Sequence, residues 1–451
     1  MEYVIYFAIT IGILVFIHEF GHFAAAKSLG MRADVFAIGF GKRLFGWNKL
    51  SGFSFGDLPK DFDGQGNTDY RLCLLPLGGY VKIAGMIDES FDADFVDKEP
   101  QPYEFRVQPT WKKVIVICAG VFMNLLLALL IFWGNNFFQE KQIIDTTTVG
   151  YVASHSIADS LGFETNDKIL TINNKLMNSW DQVRNAILVN DLGENLTFDI
   201  ERQGQEKTVL IPRKKVPDDR NAGLFIVPNG LKCRIGEVFN NSPAKKAGIK
   251  TGDIFLALDH QPISSAEQTT DIISSNKGNT LPLTVLRGKD TLNLAVTPGS
   301  DGKIGIGIEN FYTGNVTKIK YGFFESFYYG CADIGRVTNL TFTMMGRIFG
   351  GKLAFGKAFA GPVRIAQMAT TQAELGLSSF LVFLGLLSLS LAIVNIFPFP
   401  VLDGGHLVMI LIEGITKREI PIKVKLAIQQ VGFYILLLLM AFIIYSDIIN
   451  L

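Results

Sequence analysis

The sequence predicts a polytopic α-helical membrane protein with about four spanning helices, one re-entrant β-hairpin and two inserted α/β domains. Three observations predict it. Apolar residues make up 48% of the 451-residue chain and charged residues only 19%, with a mean hydropathy of +0.28. Those apolar residues gather in runs such as Met1–Leu29 and Val114–Phe138, and about 20 such residues cross the hydrocarbon core as a helix. Residues 142–312 are different in kind, mixed and charged with frequent turns, and are long enough for two small domains. Lys+Arg and Asp+Glu number 42 each, a balance that points to neither nucleic acid nor acidic partners, while the apolar runs make the lipid bilayer a partner. Cys73, Cys118, Cys233 and Cys331 are scattered without a C-x-x-C pair, which argues against a disulfide framework or a cysteine-zinc site.

The first expected helix covers residues 1–30. Ala24-Ala25-Ala26 resembles a signal cleavage site, but Glu2 and the lack of a basic start favour a retained spanning helix. It contains His18-Glu19-Phe20-Gly21-His22. Ionisable side chains in such a segment are costly and mark a functional site by default. His18 and His22, four apart, share a helix face. Two imidazoles so placed can bind zinc, with Glu19 beside them as a general base.

Residues 31–110 form the next segment. Lys27, Arg32, Lys42, Arg43 and Lys49 make this loop cytoplasmic and place the N-terminus outside. The Gly- and Asp-rich stretch FGDLPKDFDGQGNTD is expected to be irregular. Residues 70–86 are rich in β-formers, with Pro76 and Gly78-Gly79 marking a turn. This hairpin can sit at membrane depth only if protein or a water-filled cavity shelters its backbone. Residues 88–99 are acidic and expected to be exposed. Lys112 and Lys113 start the second span, 111–138, on the inner side. Within it, Gly120 lets another helix approach, and the amide of Asn124 can bond across that contact.

Residues 142–222 and 223–312 contain an internal repeat. Ala158, Gly162 and Asp167 align without gaps on Ala244, Gly248 and Asp253, and each copy ends in a strand reaching Arg202 or Arg287. The pattern, above all SPAKKAGIKTGDIFLALDHQPI, resembles PDZ domains of the bacterial type. That resemblance implies binding of an extended peptide by strand addition. Gly223-Leu224-Phe225-Ile226 and Ile304-Gly305-Ile306-Gly307 are rival carboxylate loops, and a purely steric screening role is the alternative.

Residues 313–375 are expected to form amphipathic helices on the membrane surface, because Glu325, Asp333, Arg336 and Arg347 interrupt the apolar run Tyr321–Phe349. Residues 376–406 supply a third span ending in NIFPFPVLDGGH. Residues 407–451 hold a cytoplasmic basic cluster (Lys417, Arg418, Lys423, Lys425) and a fourth span around Val431–Tyr445, ending outside.

A two-histidine site needs a third protein ligand. His155 and His260 lie in the outer repeats, whereas Asp403 and His406 follow the inner end of the third span, at a depth similar to His18. On the residues alone both remain open. H-E-F-G-H in a first span and N-x-x-P-x-P-x-L-D-G-G-H in a later one, with tandem PDZ-like domains between, resemble the site-2 family of intramembrane metalloproteases over nearly the full chain. Pro76–Lys82 and the G-x-x-x-N at 120–124 also match that family. The resemblance implies one Zn2+ per chain on His18, His22 and Asp403, with Glu19 as base. It implies substrate contacts from Asn395, from Pro398 and Pro400, and from Gly78, Gly79 and Tyr80 of the hairpin. The substrate it implies is a single-pass membrane protein already cut on its outer side, such as an anti-sigma factor, or a remnant signal peptide. It implies a multi-pass inner-membrane protein with both termini and the PDZ-like domains periplasmic and the active site toward the cytoplasm. Another membrane zinc protease, degrading misfolded proteins at the cytoplasmic face, and a PDZ scaffold or chaperone without catalysis are the alternative readings.

Overall fold

The long apolar runs fold as helices, which satisfy their own backbone polar groups as hydrocarbon requires. A computed structural model describes residues 2–59, 62, 64–86, 99–152, 156–187, 195–212, 226–350 and 361–449. Most of the acidic stretch 88–99, His155 and Gly223-Leu224-Phe225 lie outside these residues. Among the described residues, four helices are long and apolar enough to cross a membrane: Glu2–Ser28, Thr110–Phe138, Leu377–Asn395 and Ile422–Asp447. They coincide with the four expected spans, although the last begins well before Val431. The chain divides into two units, Met1–Gln139 with Lys320–Leu451, and Glu140–Ile319.

In the first unit the helices are α1 (Glu2–Ser28), α2 (Thr110–Phe138), α3 (Phe323–Phe349), α4 (Pro362–Glu374), α5 (Leu377–Asn395), α6 (Asp403–Thr416) and α7 (Ile422–Ile449). Helix α2 is the central element. Its Ala128 and Phe132 pack on Leu389 and Ile393 of α5. Its Val116 and Ile117 join Ala26 of α1, Ile410 of α6 and the sheet residues Ala33, Phe36, Val81 and Ile83 in one buried cluster. Truncating one of these large aliphatics to Ala costs about 2–5 kcal/mol, so the contacts fix how α1, α2 and the sheet meet.

The sheet contains β1 (Ala33–Asn48), β2 (Gly52–Phe55) and β3 (Asp69–Ile83), in the order β2-β1-β3. It corrects the expectation of a self-paired hairpin over 70–86. Both limbs of β3 pair with β1: Gly79–Ile83 run against Ile38–Ala33, and Tyr70–Leu72 lie beside Phe36–Ile38 with partners advancing together. The first limb of β1 is therefore inserted between the two limbs of β3. Tyr70–Cys73 also meet the second limb of β1, from Trp47 back to Arg43. Arg43, only 2% exposed, anchors this arrangement. Its guanidinium donates to the Ser54 and Gly56 carbonyls, to the Ser54 hydroxyl and to Asp69.

Helix α3 makes contacts that the sequence does not show. It is amphipathic, but it packs along the spans rather than standing apart from them. Near its start Phe323 meets Trp133 and Phe137 of α2, and farther on Phe342 meets Phe397, just beyond α5. Asp333 accepts from the Asn136 amide of α2 and pairs with the exposed Arg336 of its own helix. Helix α4 begins at Pro362, and the buried Asp447 of α7 accepts from the amides of Gly361 and Arg364. That carboxylate supplies the N-terminal cap that α4 lacks locally.

The second unit holds two PDZ-like domains built on the same scheme. One sheet runs Lys175–Leu176, Lys168–Ile172, Leu196–Arg202, Gln205–Ile211; the other runs Asp290–Val296, Leu281–Arg287, Ile254–Leu258, Leu231–Val238, Ile306–Tyr312. The repeat extends to the caps. Ser156 and Ser179 in one copy, Ser242 and Ser265 in the other, each accept from the amide three residues on. It extends also to a bidentate ion pair, Arg202 on Asp167 and Arg287 on Asp253, each arginine reaching the carbonyl of Gly162 or Gly248 as well. The stretch Ile304–Gly307 leads into the edge strand of the second domain.

Burial alone would raise the Asp253 carboxyl, but the Arg287 hydrogen bonds and charge, with the Lys250 amide, outweigh it and hold the group below the ordinary carboxylate range. A carboxylate depressed in the folded state stabilises fully above its unfolded value, about pH 4, and loses that stabilisation as pH falls through the folded value. Asp253→Asn should therefore lower the unfolding midpoint of the second domain at pH 7, and the gap from wild type should close as pH falls below about 4. Thermal unfolding between pH 3 and 7 checks both.

Candidate metal centre

The H-E-x-x-H spacing sets His18 and His22 on one face of α1, where both are nearly buried against α2. Their Nε2 atoms lie 3.2 Å apart, with the rings edge to face. Gly120 of α2 makes this possible, because a Cβ there would overlap His22 Nε2 and crowd His18 Cε1. The sequence marks Gly120 as a helix-contact residue; what it contacts is the pair of imidazoles.

The third group arrives from the start of α6. Asp403 Oδ2 is 3.2 Å from His18 Nε2 and 3.5 Å from His22 Nε2. One ligand atom from each of the three residues lies within 4.8 Å of the others. Asp403 Oδ2 is buried and has no ordinary hydrogen-bond partner among the described residues. Two imidazole nitrogens and one carboxylate oxygen converging on a point suit a borderline cation such as zinc, with a position left open. Buried groups of this kind are retained at a cost unless something binds between them.

The backbone before Asp403 is built for this delivery. Asn395 ends α5, and its amide nitrogen is 3.4 Å from His18 Nε2. Residues 396–402 then fold back so tightly that a Cβ on Gly404 would overlap the Ile396 and Phe397 carbonyls, and one on Gly405 the Phe399 carbonyl. Val401 lies in the left-handed region at φ 83°, a costly conformation for a β-branched residue. No sequence signal marks Val401, and it lines the site.

A cavity of about 60 Å3 touches His18, Glu19, His22, Asp403 and His406, with Tyr80, Val81, Ile83, Met86 and Val401 closing it. Glu19 thus faces the same space as the three ligand-type groups. Gly79 stands beside Glu19 and Val15, and Gly78 lies under the Phe40 ring. Pro400 packs on Gly432 of α7 rather than on the cavity, and neither it nor Pro398 lines the site. His406, the rival ligand, lines the cavity, but its Nε2 faces the Gln429 amide at 3.1 Å. His260 sits in a turn of the second PDZ-like domain.

Comparison with known proteins adds to this geometry. A model described as peptidase family M50 matches residues 6–439. The chain belongs to peptidase family M50. Regulator of sigma-E protease RseP of Escherichia coli K12 is 30% identical over 462 residues, covering 98% of this chain and 97% of the relative. The protein of the same name from Salmonella typhimurium is 30% identical over 463 residues, with the same coverage. A relative from Vibrio cholerae, 29% identical over 462 residues and covering 98% and 97%, has zinc metalloprotease in its name. Among solved structures, the PDZ domain of an SdrC-like protein from Listeria monocytogenes aligns with 17% of this chain and 85% of its own, at 22% identity and a TM-score of 0.16. This M50 member is a multi-pass membrane protease of the site-2 type with inserted PDZ-like domains.

Gly120→Ala should displace the two imidazoles and lower the proteolytic rate about 100-fold, the usual cost of moving reacting groups by about 1 Å. Circular dichroism should show unchanged helix content. A wild-type rate would mean that the rings have room to spare.

Proposed function

We propose that the protein is an intramembrane zinc endopeptidase in which His18, His22 and Asp403 hold one zinc ion and Glu19 is the general base. The observation that carries this reading is the convergence, beside Glu19, of His18 and His22 of a helix of spanning length with Asp403 of α6. Zinc bound there supplies a Lewis acid for the scissile carbonyl and lowers the pKa of its water toward ~7. Glu19 takes the proton from the attacking water and returns it to the leaving amine. Asn395, close to His18 Nε2, directs its amide toward the peptide oxygen. Such a donor is worth most where charge develops in a dry site.

The cavity constrains the substrate. A space of about 60 Å3 has room for water but not for a helix, whose diameter with side chains is about 10 Å. The substrate's spanning helix therefore unwinds at the cut. Gly78, Gly79 and Tyr80 belong to the limb of β3 that borders the cavity, and this limb guides the unwound segment as an extended strand. Pro398 and Pro400 act indirectly, by ending α5 and shaping the loop that presents Asp403.

The substrate is a single-pass membrane protein first cut on its outer side. The sigma-E names of the relatives favour an anti-sigma factor, with remnant signal peptides as the second class. The PDZ-like pair rejects proteins that still carry a bulky outer domain. The positive-inside pattern supports an inner-membrane topology with both termini and the PDZ-like domains periplasmic and the site toward the cytoplasm.

Glu19→Gln should retain zinc yet slow cleavage of a pre-cut single-pass substrate by at least about 100-fold; processing at the wild-type rate would overturn the assignment. Asp403→Ala should lose stoichiometric zinc by elemental analysis, whereas retained zinc would transfer the third-ligand role to His406. Reporter fusions at residues 316 and 375 should both read outside, and opposite readings would reject the topology.

A further inference from the structure

Asn124 is wholly buried in α2 where that helix meets α1 and α5. Its amide nitrogen lies 3.1 Å from His18 Nδ1, and its amide oxygen has no partner among the described residues. Its backbone carbonyl accepts from the Ser388 hydroxyl of α5 at 2.7 Å, which fixes the turn that carries it. His22 is held differently. Its Nδ1 is 2.8 Å from the Val116 carbonyl, and a carbonyl can only accept. His22 therefore carries a proton on Nδ1, and in its neutral form keeps a lone pair on Nε2, 3.5 Å from Asp403 Oδ2.

The partner of His18 is an amide, which can donate or accept. With the Asn124 nitrogen donating to Nδ1, the proton of the neutral His18 ring sits on Nε2, 3.2 Å from Asp403 Oδ2. A half-turn of the amide presents its oxygen instead, which accepts from Nδ1–H and frees the Nε2 lone pair. We infer that Asn124 is the positioning residue that selects the His18 tautomer, its nitrogen serving the metal-free site and its oxygen the metal-loaded one. The exchange is proton-neutral, since Nε2 loses one proton and Nδ1 gains one. An amide is suited to both states; a carboxylate serves only the loaded state and an aliphatic side chain neither. This inference rests on the zinc reading above. Partners of metal-bound histidines commonly set affinity by about 10–100-fold.

The test uses the full-length protein in detergent, with zinc affinity read by chelator competition and ligand geometry by the absorption spectrum of the cobalt(II)-loaded form. Asn124→Leu should weaken zinc binding about 10–100-fold and alter the cobalt spectrum. Asn124→Asp should bind zinc at least as tightly as wild type and keep its cobalt spectrum. Wild-type affinity in the Leu variant overturns the role of Asn124 while leaving the metal site intact; a wild-type chain that binds no zinc overturns both. Should the Leu variant fail to fold, the Asp variant decides alone, and a tenfold loss of affinity there overturns the inference.

Discussion

Ionisable groups placed inside an apolar helix must find partners, and the first unit is arranged around that demand. His18 and His22 could not remain in α1 as isolated polar groups at acceptable cost. Each is met on both sides: by Val116 and Asn124 at the Nδ1 atoms and by Asp403 at the Nε2 atoms. Meeting them requires α2 to approach closely, hence Gly120, and requires the chain after α5 to turn back sharply, hence Gly404, Gly405 and the strained Val401. The aliphatic packing of α2 against α1, α5 and the sheet holds that geometry, and the polar contacts dictate where it must be held.

Much of this was legible in the residues because it is local. Four spans follow from length and apolarity, and the two soluble copies from an alignment that the folded domains extend to serine caps and an arginine–aspartate pair. His18, Glu19 and His22 were readable from helical spacing. Asp403 needed more: the residues left His406 as an alternative, and family resemblance favoured the carboxylate. The structure sets Asp403 against both imidazoles and turns His406 Nε2 toward Gln429.

What was not legible depends on partners distant in sequence. The alternation in 70–86 announces strands and a turn but not which strand lies between the limbs, so an interleaved sheet was read as a hairpin. The charges in α3 suggest an amphipathic helix at the membrane surface, but not that Asp333 accepts from Asn136 of α2. The cap of α4 comes from Asp447, some 85 residues along the chain, beyond any local capping pattern. Val401 has no sequence signature, because the loop rather than the residue chooses its backbone conformation.

The interleaving of β1 and β3 has a consequence for biogenesis. The first limb of β1 cannot acquire both neighbours until all of β3 has been made, and the proposed ligand set is incomplete until Asp403 follows much later. A chain still being synthesised can therefore display its histidine pair in the bilayer without a finished centre to cut with. On the zinc reading, competence to cut comes late in translation, set by the order in which the parts are made.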